Sequence, residues 1–164
     1  MSGALGMSHR RFVVIVALAF SIFAHAQSLE KISSPSGAKE KLIGAWHLVH
    51  IDAPAPDGKS VSGPQAKGML IYTRDGHVSV QLMYPGSANT LSNEYVLNGY
   101  EASFGSYDVD ETTHTVMHHV QGSITRDLLV GKDLPRKFEF TVDGHLIIRS
   151  ARPDERWAVT WEHY

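Results

Sequence analysis

Ten histidines and no cysteine mark this chain of 164 residues. Imidazole is the commonest metal ligand and titrates nearest neutral pH, so metal binding, proton transfer and plain packing all come into question. His118 and His119 are neighbours, and neighbours on a strand point to opposite faces, so they do not chelate one ion together. His47 and His50 differ by three, which again divides them between faces. Zinc needs three or four convergent ligands at about 2.0–2.1 Å, and no H-E-x-x-H or similar pattern occurs. No metal and no other cofactor is expected. Only a haem held by one interior histidine stays compatible with the pattern.

Other catalytic signatures are missing. There is no Gly-x-Ser-x-Gly, no glycine-rich phosphate loop and no Rossmann turn. Asp52, Asp57, Asp75, Asp110 and Asp143 fall in turns, where aspartate bonds locally to the backbone. Glu101 and Asp108, near Tyr107, are the acids that remain candidates for proton transfer. Without cysteine there is no disulfide, thiolate site or Cys nucleophile. A formal charge of −2 provides no basic field, so nucleic acid is not an expected partner. Met69, Met83 and Met117 read as adaptable filling.

The elements that must position these groups follow from the spacing of apolar residues. Arg10 and Arg11, the apolar run 12–24 and Ala24-His25-Ala26 have the layout of a secretory signal peptide cut after Ala26. The apolar run falls short of the roughly 20 helical residues that cross a bilayer. No integral membrane segment is therefore expected after cleavage, and the expected location is periplasmic or secreted. His9, His25 and both arginines leave with this segment. Residues 27–40 read as a polar, flexible leader, and residues 41–164 as one domain.

Within that domain short β-type runs alternate with turn signals: 44–52, 68–73, 77–84, a strand ending near Val109, 113–121, 136–142, 145–150 and 157–163. Asp75-Gly76 and Asp143-Gly144 mark two tight hairpins, since both dipeptides accept positive φ. A helix is expected only over 89–99, with Ser92 as its N-cap, and 122–135 reads as a long loop. Seven or eight strands at this spacing predict an all-β, antiparallel up-and-down barrel with one short helix. Closure also removes exposed sheet edges.

The order of landmarks resembles the lipocalin-like domain family, within the calycin group of β-barrels. The resemblance rests on Gly44-Ala45-Trp46, on 68–76 (GMLIYTRDG), on 79–83 (SVQLM), on 103–110 (SFGSYDVD), on 115–123 (TVMHHVQGS), on 136–139 (RKFE) and on Trp161. It covers about residues 41–164 and implies a central cavity suited to a small hydrophobic molecule. One departure is visible. Relatives tend to place an Arg after the last-strand Trp, where this chain has Trp161-Glu162-His163-Tyr164, leaving Arg149 or Arg156 to substitute.

Strand parity then sorts the side chains. With Trp46 facing in, Leu48 and His50 follow, as do Val80, Leu82 and Tyr84 on the third strand. His118 goes inward with Val116 and Val120, Phe138 with Phe140, and Trp161 with Trp157 and Val159. Phe104 completes the expected wall. Tyr107 or His50 is the expected hydrogen-bond partner of His118. A barrel of eight strands is just wide enough to be filled by its own side chains, so a filled interior competes with a ligand-sized one. Three functions follow. The leading one is non-catalytic binding of a small hydrophobic molecule. The second is an isomerase or cyclase acting on an apolar substrate in the same cavity, with His118 or Tyr107 moving a proton. The third is a filled barrel acting through its outer surface, in an unspecified oligomeric state.

Overall fold

Period-two alternation produces eight strands: β1 (Gly44–Asp52), β2 (Lys67–Tyr72), β3 (His77–Met83), β4 (Tyr100–Asp110), β5 (Thr115–Ser123), β6 (Asp133–Phe140), β7 (Leu146–Ser150) and β8 (Ala158–His163). Each is antiparallel to the next, and β8 returns to pair with β1, closing the barrel. The computed structural model describes residues 37–52, 66–85 and 92–164. The expected signal peptide, most of the leader and the 54–58 loop lie outside these residues. Gly76 and Gly144 occupy their hairpins at φ +88 and +89, a region closed to most side chains.

Helices depart from expectation. Of the expected 89–99 helix, residues 92–99 form turns instead, with an isolated bridge between Leu97 and Tyr100. There the Asn93 carboxamide oxygen accepts the backbone N–H groups of Tyr95 and Val96, a local competitor of helix. Asn98 and Gly99 then turn left-handed at φ 51 and 81. The helices present are α1 (Ala38–Leu42), beginning inside the expected leader, and α2 (Arg126–Leu129), inside the expected loop. Neither could stand alone at this length. Each is pinned by a buried leucine, Leu42 and Leu129, and such burial contributes about 1.5–3 kcal/mol.

Helix α1 lies at one end of the barrel. The Trp46 indole N–H donates to the Leu42 carbonyl at 2.9 Å. Arg74 of the β2–β3 turn pairs with Glu40, and the Lys39 backbone N–H donates to Glu111 beyond β4. This half of the interior is a hydrophobic core, with Leu42, Trp46, Val78, Tyr107, Val116, Phe138 and Leu146 all buried. Phe140 joins them, tilted against Trp46 and edge-on to Phe138. The other half is lined differently.

Candidate ligand-binding site

Towards the end carrying the β3–β4, β5–β6 and β7–β8 connections, the barrel encloses a cavity of about 160 Å³. Its floor is the layer of Tyr72, His118, Ile148 and Trp161, and its wall includes Ile51, Val80, Leu82, Glu101, Leu134 and Arg136. Tyr84, Asn93, Tyr95, Val96, Leu129 and Trp157 complete the lining at the loop-bearing end.

Five of the residues expected on the wall line this space: Val80, Leu82, Tyr84, His118 and Trp161. The other six do not. Trp46, Phe138 and Phe140 face inward but belong to the packed half, and Leu48 packs against that core. His50 is exposed, because the register against β8 slips between Leu48 and His50. That bulge lets Ile51 take the inward place which unbroken alternation assigns to His50. Phe104 is 59% exposed. On β4 the odd-numbered Glu101, Ser103, Gly105 and Tyr107 turn inward, so Phe104 lies outside, over Gly122.

His118 is buried, and its Nε2 is hydrogen-bonded at 2.7 Å to the hydroxyl of Tyr72. The expected partners, Tyr107 and His50, are corrected: Tyr107 donates its hydroxyl to the Thr73 carbonyl, and His50 is outside. Burial, then the positive charge of Arg136, pushes the His118 pKa down to about 3, so the ring is neutral. Burial raises the Tyr72 hydroxyl far above its ordinary range. Both groups therefore keep one protonation state at neutral pH, and Tyr72 donates when the His118 proton sits on Nδ1. His119 points outward, between Asp133 at 2.7 Å and Asp108 at 3.0 Å, so Asp108 is outside the cavity as well. Those two carboxylates raise its pKa, Asp133 foremost.

Two charged groups enter the cavity. Glu101 is pushed up to about 7 by burial, with Arg136 pulling in the opposite direction. Arg136 is 5% exposed, its guanidinium 4.8 Å from the Trp157 ring centroid and 5.1 Å from that of Tyr95. A polar network fixes those rings. Tyr95 donates to Glu155 at 2.9 Å, Trp157 donates to Glu155 at 3.0 Å, and Arg152 pairs with Glu155 and Glu94. Burial alone would raise Glu155, but hydrogen bonds from Ser150, Tyr95 and Trp157 outweigh it and hold the carboxyl at about 2.

Arg136 carries a signal that sequence reading passed over, since it shares parity with Phe138 and Phe140. Tyr95 carries none, because it sits in an irregular loop whose path depends on Asn93. Neither Arg149 nor Arg156 replaces the missing last-strand arginine inside: Arg149 pairs with Glu139 on the surface and Arg156 is exposed. Among the described residues no group of three or more His, Cys, Asp or Glu could hold a metal ion. No helix among them is long and apolar enough to cross a membrane.

A family model of the lipocalin-like domain matches residues 43–163. A crystal structure of a mutant of the fluorescent protein UnaG is similar at 12% identity and a TM-score of 0.40, over 76% of this chain and 97% of that one. No curated protein matches. By its match over residues 43–163, the chain belongs to the lipocalin-like domain family.

Proposed function

We propose that this lipocalin-like barrel binds one small, largely apolar molecule in its cavity and releases it chemically unchanged. The carrying observation is the shape of the interior, a cavity of about 160 Å³ lined mainly by apolar and aromatic side chains beside the core under α1. A cavity of about 150 Å³ with apolar walls is already large enough for benzene. The few polar groups, Glu101, His118 and Arg136, orient a guest among apolar neighbours. Trp157 and Trp161 line the space, so their fluorescence reports occupancy.

The test is native mass spectrometry of the purified protein, joined to tryptophan-fluorescence titration with small apolar compounds. The expected result is a retained or titratable small molecule, lost in Val80→Phe, which fills the cavity. Recovery of empty protein that responds to no compound defeats the reading.

The same proposal places the protein outside the cytoplasm, supported by the signal-peptide pattern of residues 1–26. Sequencing the amino terminus of protein from the periplasmic or extracellular fraction is expected to begin at Gln27. A chain retained in the cytosol with its first residues intact defeats that part.

A catalytic reading in the same cavity is favoured by the position of Glu101, a carboxyl in the cavity lining that burial pushes up to about 7, a range suited to general acid–base work. His118, with its pKa near 3, is a poor proton carrier at neutral pH. Under this reading Glu101→Gln abolishes turnover of a substrate that still binds. Unchanged turnover removes it.

A further inference from the structure

Building on the small-molecule reading, we infer that the guest is a compact apolar acid, an aryl or short alkyl group bearing one anion, selected by Arg136. The argument starts from where this protein pairs its arginines. Arg74 pairs with Glu40, Arg149 with Glu139, and Arg152 with Glu94 and Glu155, all at least partly exposed. Pairing is worth least there. Arg136 is 5% exposed, and among the described residues no carboxylate stands within ion-pair distance of it, Glu101 of the same lining acting on it only from farther away. Its side chain meets the Tyr95 and Trp157 rings and donates to the Pro135 carbonyl at a long 3.4 Å.

A guanidinium does not shed its proton inside a protein. Leaving it buried without a close anion is costly, and cation–π contacts return only part of that cost. A second donor in the same lining is also unanswered. The Trp161 indole N–H is buried with no hydrogen-bond partner among the described residues. The oxygens of one bound anion supply the charge that Arg136 lacks and an acceptor of the kind Trp161 lacks. The space limits the rest of the guest to roughly one ring, and Tyr72, Tyr84 and Trp157 provide aromatic wall for it.

Glu101 makes this selection depend on pH. The other titratable groups facing the cavity are His118 from β5, Tyr72 from β2, Tyr84 after β3 and Tyr95 before β4. His118 stays neutral and the tyrosines stay protonated through neutral pH. Glu94 and Glu155 are engaged by Arg152. Glu101 alone of the cavity groups exchanges a proton near pH 7. Once ionised it competes for Arg136 and repels an incoming anion, so acid binding weakens as pH rises.

The experiment titrates the full-length processed protein with 3-phenylpropionate and its neutral counterpart 3-phenylpropan-1-ol, by calorimetry and tryptophan fluorescence, at pH 6 and 8.5. A charge-assisted bond of about 1.5–3 kcal/mol corresponds to a preference for the acid of roughly 10- to 100-fold at pH 6. Arg136→Met is expected to bring acid affinity down to that of the alcohol. Glu101→Gln, which does not touch the guanidinium, is expected to restore tight acid binding at pH 8.5. If Arg136→Met does not fold, the two probes on the native protein and the Glu101→Gln arm still decide. Equal affinity for acid and alcohol overturns the role of Arg136 and leaves small-molecule binding standing. Binding of neither probe overturns the compact-acid inference, while the broader small-molecule reading is decided separately by the native mass spectrometry above.

Discussion

Glu101→Gln, unfolded by urea at several pH values between 5.0 and 6.5, exposes two buried ionisations that oppose each other. His118 has a folded pKa of about 3 against an ordinary 6.5. Its neutral form therefore contributes stability that is complete above 6.5 and is lost as pH falls towards 3. Glu101 has a folded pKa of about 7 against an ordinary 4.5. Its contribution has the opposite sense: complete below 4.5, and lost as pH rises through 7. Each group acting alone gives a slope of about 1.4 kcal/mol per pH unit, positive for His118 and negative for Glu101.

Between pH 5.0 and 6.5 the two slopes cancel, and the native protein is expected to hold nearly constant stability. Glutamine does not titrate, so the variant keeps only the His118 slope. It is expected to lose about 2 kcal/mol between pH 6.5 and 5.0. Glu155, held at about 2, acts only below about 4.5 and leaves this window clear. His119, whose pKa is raised, contributes stability that is complete below 6.5 and declines only above it. A flat profile in Glu101→Gln refutes the claim that the fold keeps His118 neutral. A native profile as steep as the variant's refutes the elevated Glu101.

Three further outcomes are expected. Tyr72→Phe removes the hydroxyl bonded to buried His118, and urea unfolding at pH 7.5 should show a loss of about 1–3 kcal/mol. The same substitution in a His118→Leu background should cost much less, a double-mutant cycle isolating the pair. Gly105→Ala drives a Cβ into the His119 carbonyl oxygen at the β5 bulge, and thermal unfolding should register an overpacking loss of about 1–3 kcal/mol. Arg149→Ala breaks only a half-exposed pair with Glu139, so its unfolding free energy should stay within about 1 kcal/mol of native.

Strand boundaries were readable because their signals are local. Apolar alternation and the Asp75-Gly76 and Asp143-Gly144 turns place β2, β3, β6 and β7 to within a few residues. Helices were not, since α1 and α2 are too short for intrinsic propensity and exist through Leu42 and Leu129, whose burial depends on distant strands. The site was legible in part. Parity places Val80, Leu82, Tyr84, His118 and Trp161 inward, and it holds wherever the ladder is regular. It fails at His50 because one extra residue on β1 resets the alternation after Leu48. It was not applied to β4, where Ser103 and Gly105 take the inward positions and Phe104 the outward one.

The chain's histidine-rich, cysteine-free composition excluded disulfides and offered no metal pattern, and residue order by itself determined the barrel, its antiparallel connectivity and the inward placement of His118. These are consequences of period-two alternation and turn chemistry, which act over a few residues. Tertiary structure decided which inward residues meet packing and which meet empty space. Trp46 and Trp161 share an inward orientation, yet one is packed under α1 and the other borders the cavity, because depth along the barrel axis has no local signature. It also decided the charge states of His118 and Glu101, which depend on Arg136 and on burial by strands far away in sequence.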